Sequence, residues 1–130
     1  MTYTIQKHLP DISYADAVGV VREALKKEGF GVLTEIDIQA TLKQKLGVDG
    51  PRYIILGACN PPLAHQALQA DPLIGALLPC NVMVIEDGAG GCQVAAVDPE
   101  AMFKLVDKKG VAAIASEVKA KLERVLAKIG

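Results

Sequence analysis

Two cysteine-asparagine steps are the residues of this chain best suited to chemistry. Cys59 precedes Asn60, Cys80 precedes Asn81, and His65 lies six positions after the first cysteine. Thiolate and imidazole groups are the ligands that zinc and the softer transition metals prefer in proteins. The first hypothesis is therefore a small-ligand or metal-binding module with its pocket near Cys59, His65 and Cys80, and with the two asparagines beside it.

The same residues permit a second interpretation, a thiol-dependent enzyme. A thiol in front of a helix N-terminus gains thiolate character from the helix dipole, and Cys59 stands in front of a predicted helix. His65 would act as its base, and the side-chain amides of Asn60 or Asn81 would donate hydrogen bonds to an oxyanion. Cys80 is the alternative nucleophile.

A third interpretation assigns these residues no chemistry. Free cysteine is often a small buried hydrophobic residue, and asparagine commonly caps a helix or a turn. The protein would then be a dimeric structural or interaction protein, with inert thiols and an apolar patch at the subunit contact. The sequence leaves all three interpretations open, and no pattern in it specifies a cofactor.

The elements that must position these residues follow from hydropathy spacing. Residues 52–59 form a nearly continuous apolar run, which is typical of a strand buried on both faces. A second strand is predicted over 81–86, and a helix over 63–70 lies between the two. If the strands are antiparallel neighbours, the end of the first lies beside the start of the second, which brings Cys59 close to Cys80.

The rest of the chain predicts an α+β fold. A short glycine loop joins 81–86 to the next strand, so these two strands must be antiparallel. We therefore expect an antiparallel-rich sheet of four to five strands with helices packed on one face. The other strands are predicted over 3–7, 30–36 and 92–97, and the other helices over 14–28, 38–46, 72–78, 99–103 and 111–129.

Composition narrows the class of protein. A chain of 130 residues with 51% hydrophobic residues predicts a single domain, residues 1–130, with its own core. A net charge of -1 gives no basic face for nucleic acid, and no apolar run is long enough to span a membrane. The N-terminus lacks the pattern of a secretory signal, and three cysteines make a poor disulfide framework, so we expect a cytoplasmic location.

Four segments of the chain resemble domain-of-unknown-function family 302. They are residues 29–37, 57–65, 77–82 and 97–99, so that the resemblance extends over nearly the whole chain. It implies a β-α-β4-α topology similar to that of the TATA-binding protein, and a homodimer. The family carries no established activity, so the resemblance implies no cofactor and no catalytic residue.

Overall fold

Five strands pair into one antiparallel sheet in the computed structural model, which describes residues 2–130. They lie in the order β1-β5-β4-β3-β2, so that β1 and β2 form the two edges. This confirms the predicted antiparallel sheet. The strands are β1 (Thr4–Leu9), β2 (Gly31–Asp37), β3 (Tyr53–Cys59), β4 (Cys80–Glu86) and β5 (Cys92–Val97).

Within residues 2–130, five α-helices and one 3-10 helix connect and follow the strands. They are α1 (Tyr14–Lys27), α2 (Ile38–Leu46), α3 (Pro61–Ala70), the 3-10 helix (Pro72–Leu77), α4 (Pro99–Phe103) and α5 (Val111–Lys128). The order of the strands and the two longest helices, α1 and α5, is β-α-β4-α, and the other helices lie within the connections. The further similarity to the TATA-binding protein stays a prediction. No helix within residues 2–130 has both the length and the apolarity needed to cross a membrane.

The core lies between one face of the sheet and the helices, which confirms the α+β prediction. Alternate residues of β3, β4 and β5 point toward this face, as a strand period of two requires. The apolar face of α5 covers much of it, since Leu122 and Val125 are buried in the same cluster as strand residues. The central strand residues of that cluster are Leu56, Val82, Val84, Val94 and Ala96.

Helix α1 is fixed at both ends by polar contacts. The Ser13 side chain accepts a hydrogen bond from the backbone amide of Asp16 and so caps the helix. At the other end, Glu28 pairs with Arg124 and Lys128 of α5. The two helices that cover the sheet are therefore held together where α1 ends.

His8 lies in strand β1, beyond residue 7, where the predicted strand ends. Strand β1 continues to Leu9, whose backbone lies opposite Cys92, and His8 lies opposite Gln93. The prediction was wrong because β5 begins early enough to extend the ladder beyond Lys7. Pairing with a neighbouring strand decides where β1 ends, and this is not visible in the local sequence.

Candidate functional site

The ends of β3 and β4 meet as the sequence analysis predicts for antiparallel neighbours. Ala58 lies opposite Cys80, and Gly57 lies opposite Asn81. Because directly opposed residues share a face, Cys80 points with Ala58 toward the helices, and only 5% of it is exposed. The register therefore places Cys80 in the core. Cys59 lies one residue beyond Ala58, which is the residue opposite Cys80.

A small cavity, which we call the cysteine cavity, opens at this junction. Cys59, Asn60 and Cys80 all contribute to its wall, and its volume is about 20 Å³. That volume holds about one water molecule, whereas pockets for organic ligands are typically about 300 to 1,000 Å³. Most of the wall is apolar, with Phe30, Leu63, Leu78, Phe103, Ile114 and Val118 contributing to it.

Burial keeps the inner thiol protonated. Burial, and after it the charge of nearby Cys59, raises the pKa of Cys80 to about 11. Cys80 is therefore a neutral thiol at physiological pH and lacks the activation that a cysteine nucleophile needs. Cys59 is half-buried and lies at the same cavity.

In the structure Asn60 caps a helix, whereas Asn81 is exposed. The Asn60 side chain accepts a hydrogen bond from the amide of Leu63, 3.4 Å away, and so caps α3. Its Nδ2 atom donates to the carbonyl of Glu28, also at 3.4 Å, which ties the start of α3 to the end of α1. Asn81 is exposed and follows Cys80 along β4, so it points to the opposite face of the sheet.

His65 does not contribute to the wall of the cysteine cavity. Helix α3 buries Leu63 and Ala67, which are four positions apart, and His65 between them is exposed. Two positions along a helix correspond to a rotation of about 200°, which turns His65 away from the core. Within residues 2–130, no three His, Cys, Asp or Glu side chains gather closely enough to hold a metal ion. The structure does not assemble the three predicted ligands.

Gly57 is required by the close packing beside the cavity. A Cβ atom at this position would lie 2.1 Å from Thr34 Oγ1 and 2.8 Å from Pro79 Cγ. A side chain at position 57 would therefore require Thr34 or Pro79 to shift. The absence of a side chain here leaves room for both residues.

A second polar cluster, which the sequence analysis missed, lies at the opposite end of the sheet. His8 Nε2 is 2.6 Å from Asp87 Oδ2, and Asp87 Oδ1 accepts hydrogen bonds from the amides of Ala89 and Gly91. The hydrogen bond from His8, followed by those amides, lowers the pKa of Asp87. Cys92 is buried nearby. This cluster fixes the loop between β4 and β5 against β1.

Exposed apolar side chains are concentrated on β2, α2 and the following loop, which the sequence patterns did not reveal. We call this region the α2 surface, and half of the exposed large hydrophobic side chains within residues 2–130 belong to it: Leu33, Ile36, Leu42, Leu46 and Val48. Helix α2 has a good N-cap, Asp37, and ends at Gly47 in the left-handed conformation. Yet none of its residues is buried.

This fold defines a small α+β domain in which one antiparallel sheet carries its main helical layer on a single face. The family model for the domain of unknown function DUF302 matches residues 5–129, and the chain belongs to that family. Among curated proteins, none matches the chain. The crystal structure of an uncharacterized conserved protein of the same family from Bacillus stearothermophilus is similar over 100% of both chains, with a TM-score of 0.90 and 24% identity. That similarity supports the fold alone.

Proposed function

We propose that this protein is a homodimeric interaction module whose subunits meet through the α2 surface. The observation that carries the proposal is a nine-residue helix without a single buried residue. Isolated helices this short are marginal in water, and packing of an apolar face supplies most of a helix's stability. The apolar stripe of α2, formed by Ile38, Leu42 and Leu46, therefore calls for a partner from outside this chain.

The two edges of the sheet differ in how they are protected. Edge strand β1 carries Lys7, and Gly130 lies against Lys7 and Leu9. Lysine on an edge strand and cover by another segment are two common ways of preventing association. Edge strand β2 has no lysine or proline, and its Leu33 and Ile36 are 66% and 46% exposed. Only the second edge offers apolar side chains for a contact.

A second copy of this chain fits the α2 surface by charge. The N-cap residue of α2, Asp37, is acidic, and its last turn is basic, with Lys45 and with Lys43, which also pairs with Asp49 of the same chain. A two-fold axis across the helix would align two copies antiparallel, and the acidic end of each would lie beside the basic end of the other. The apolar stripes would face each other between these ends.

Molar mass in solution tests this proposal. We expect the parent protein to have the mass of two chains in light scattering, and Leu42→Glu to have the mass of one because it buries a charge in the contact. Leu105→Glu is the matched control, since Leu105 is 82% exposed and lies outside the α2 surface. A parent protein that stays monomeric at high concentration, or a Leu42→Glu variant that stays dimeric, contradicts the proposal.

A second candidate function is a small-ligand or metal-binding module at the cysteine cavity. What favours it is that Cys59, Asn60 and Cys80 contribute to one cavity wall. Its test is metal analysis of protein purified without chelator, repeated on Cys59→Ser and Cys80→Ser. Metal that is present in the parent and lost in both variants supports this function, and a parent protein that holds no metal ends the metal version.

The thiol-dependent enzyme receives less support. A protonated Cys80 lacks nucleophilic character, and exposed His65 is not a component of the cavity wall where Cys59 lies. Cys59 as a nucleophile stays a prediction. Alkylation rates measured against pH would support it only if the Cys59 thiol reacts as a thiolate near neutral pH.

A further inference from the structure

The α2 surface contains a pocket as well as projecting side chains. This pocket, which we call the α2 pocket, lies between α2, the loop after it and the start of β3. Its volume is about 230 Å³. Because an apolar cavity of about 150 Å³ holds a benzene ring, a leucine side chain fits into the α2 pocket. The apolar side chains of its wall are those of Ile38, Leu42, Val48, Pro51 and Tyr53.

Two polar contacts within the chain hold the loop against α2 and so form the pocket. The Gln39 side-chain amide donates a hydrogen bond to the carbonyl of Gly50 at 2.9 Å, and Lys43 Nζ lies 2.9 Å from Asp49 Oδ1. Asp49 is part of the pocket wall, and Lys43 compensates its charge. The pocket therefore favours an uncharged, apolar occupant.

Leu46 projects from the helix whose other two stripe residues line the pocket. It is 70% exposed, compared with 40% for Leu42, and it is not part of the pocket wall. The α2 surface therefore carries an apolar hole and an apolar knob. A contact across a two-fold axis uses the same surface of both copies, so that surface must contain both complementary parts.

The antiparallel arrangement of the proposed dimer brings the knob and the hole together. With the axis beside Leu42, Leu46 of each copy lies opposite Ile38 of the other, because both residues are four positions from Leu42. Since Ile38 lines the pocket, this places each Leu46 at the pocket of the second copy. Each dimer would contain this contact twice.

We infer that Leu46 of each subunit inserts into the α2 pocket of a second copy of this chain, and that these two contacts set the alignment of the subunits. The inference rests on the proposed dimer. It deepens that proposal by naming the side chain and the pocket that determine how the two α2 helices are aligned.

The dissociation constant of the dimer, measured on the intact protein by sedimentation equilibrium, tests the energetic part of the inference. We expect Leu46→Ala to raise it about 100-fold, which is about tenfold for each of the two leucines that lose apolar contact. Leu105→Ala is the matched control and should leave it unchanged, since Leu105 is 82% exposed and lies outside the α2 surface. Circular dichroism verifies that both variants are folded.

Disulfide cross-linking tests the alignment. In a variant with both Ile38→Cys and Leu46→Cys, the two cysteines are separated by eight helical positions, about 12 Å, which is too far for a disulfide within one chain. Mild oxidation should therefore join two chains, seen as a doubled mass on a non-reducing denaturing gel. Each single variant is a control and should stay uncross-linked, because the two copies of one residue would also be about 12 Å apart.

The outcomes separate this inference from the proposed function. A parent dimer that Leu42→Glu dissociates, but that Leu46→Ala leaves intact or that does not cross-link through positions 38 and 46, overturns this inference alone. Benzene that shifts the Tyr53 ring signals of the intact dimer would show that Leu46 does not fill the pocket, and also overturns it. A monomeric parent protein overturns both.

Discussion

Helices α2 and α3 begin in the same way and end in different environments. Each follows a strand, and each has an Asx N-cap, Asp37 for α2 and Asn60 for α3. Helix α3 buries Leu63 and Ala67 against the core, whereas α2 buries nothing. Equal local signals therefore produce one helix with residues buried in the core and one that contacts β2 and β3 without burying any residue.

Capping and hydropathy spacing therefore determine where a helix forms but not which other part of the protein covers it. Both helices carry apolar residues four positions apart, as a packed helix does. The distinction comes from the sheet. The end of β3 brings α3 to the helical layer, where α5 packs against it, whereas β2 lies at an edge and α2 packs mainly against β2 and β3.

The largest expected difference between α2 and α3 is in the free energy of unfolding that is lost when one leucine in each helix is truncated. Leu63→Ala leaves a cavity beside the cysteine cavity and should lower the free energy of unfolding by about 2 to 5 kcal/mol. Leu42→Ala, at a position that is 40% exposed, should cost less than about 1 kcal/mol when the subunits are apart. Urea denaturation of both variants at low protein concentration measures the two values, and equal losses would refute the difference in packing.

A second prediction concerns glycines in the strands that lead to these helices. Gly57→Ala should lower the free energy of unfolding by about 1 to 3 kcal/mol, because the new methyl group meets Thr34 and Pro79. Gly31→Ala in β2 is the control, since a Cβ there meets nothing within 4 Å. Thermal denaturation compares them, and a neutral Gly57→Ala would show that the strand ends are packed less closely than described.

Removing the N-cap of α3 should lower the free energy of unfolding more than removing the N-cap of α2. Asn60→Ala should lower the free energy of unfolding by about 1 kcal/mol, since it removes the cap of α3 and the contact with Glu28. Asp37→Ala removes only the hydrogen bond to the amide of Ala40. We expect it to increase amide exchange in α2 and to change global stability less. Similar global losses in both variants would argue that α2 is as integral to the fold as α3.

The smallest predicted effect is on how the free energy of unfolding changes with pH through the pair of Asp98 and Lys119. Desolvation acts to raise the pKa of Asp98, but the hydrogen bond and charge of Lys119 and the amides of Ala101 and Glu100 outweigh it, so the pKa is lowered. Because the pKa of Asp98 is lower in the folded state, ionised Asp98 stabilises the protein above the unfolded pKa of about 3.9. This stabilisation is lost as the pH falls through the folded pKa.

Lys119→Met isolates that contribution from those of Asp87 and Glu28, whose pKa values are also lowered. Urea denaturation between neutral and acidic pH should show a smaller loss of stability on acidification in the variant than in the parent. Identical pH profiles would mean that Lys119 does not act on Asp98.

Much of the fold could be predicted from the sequence because its signals are local. The glycine loop after β4 requires β4 and β5 to form an antiparallel pair, and the structure contains that pair. The pairing of His8 with Asp87 could not be predicted, since 79 positions separate them. Only the order of the strands brings them together.

The candidate site could be predicted only in part. The proximity of Cys59 to Cys80 followed from strand pairing, but the structure does not bring His65 and Asn81 to the wall of the cysteine cavity. Two sequence signals would have excluded them: a strand period of two turns Asn81 away from Cys80, and the spacing of Leu63 and Ala67 turns His65 toward solvent. The exposure of α2 left no such signal, because its stripe is typical of a buried helix.

Hydrogen exchange of the β2 and α2 amides, compared with that of α3, tests most directly whether a second copy covers the α2 surface. The account predicts that β2 and α2 are protected in the parent and in Leu105→Glu and lose protection in Leu42→Glu, while α3 is unchanged in all three. Exchange in β2 and α2 that is equally fast in the parent and in Leu42→Glu would contradict it.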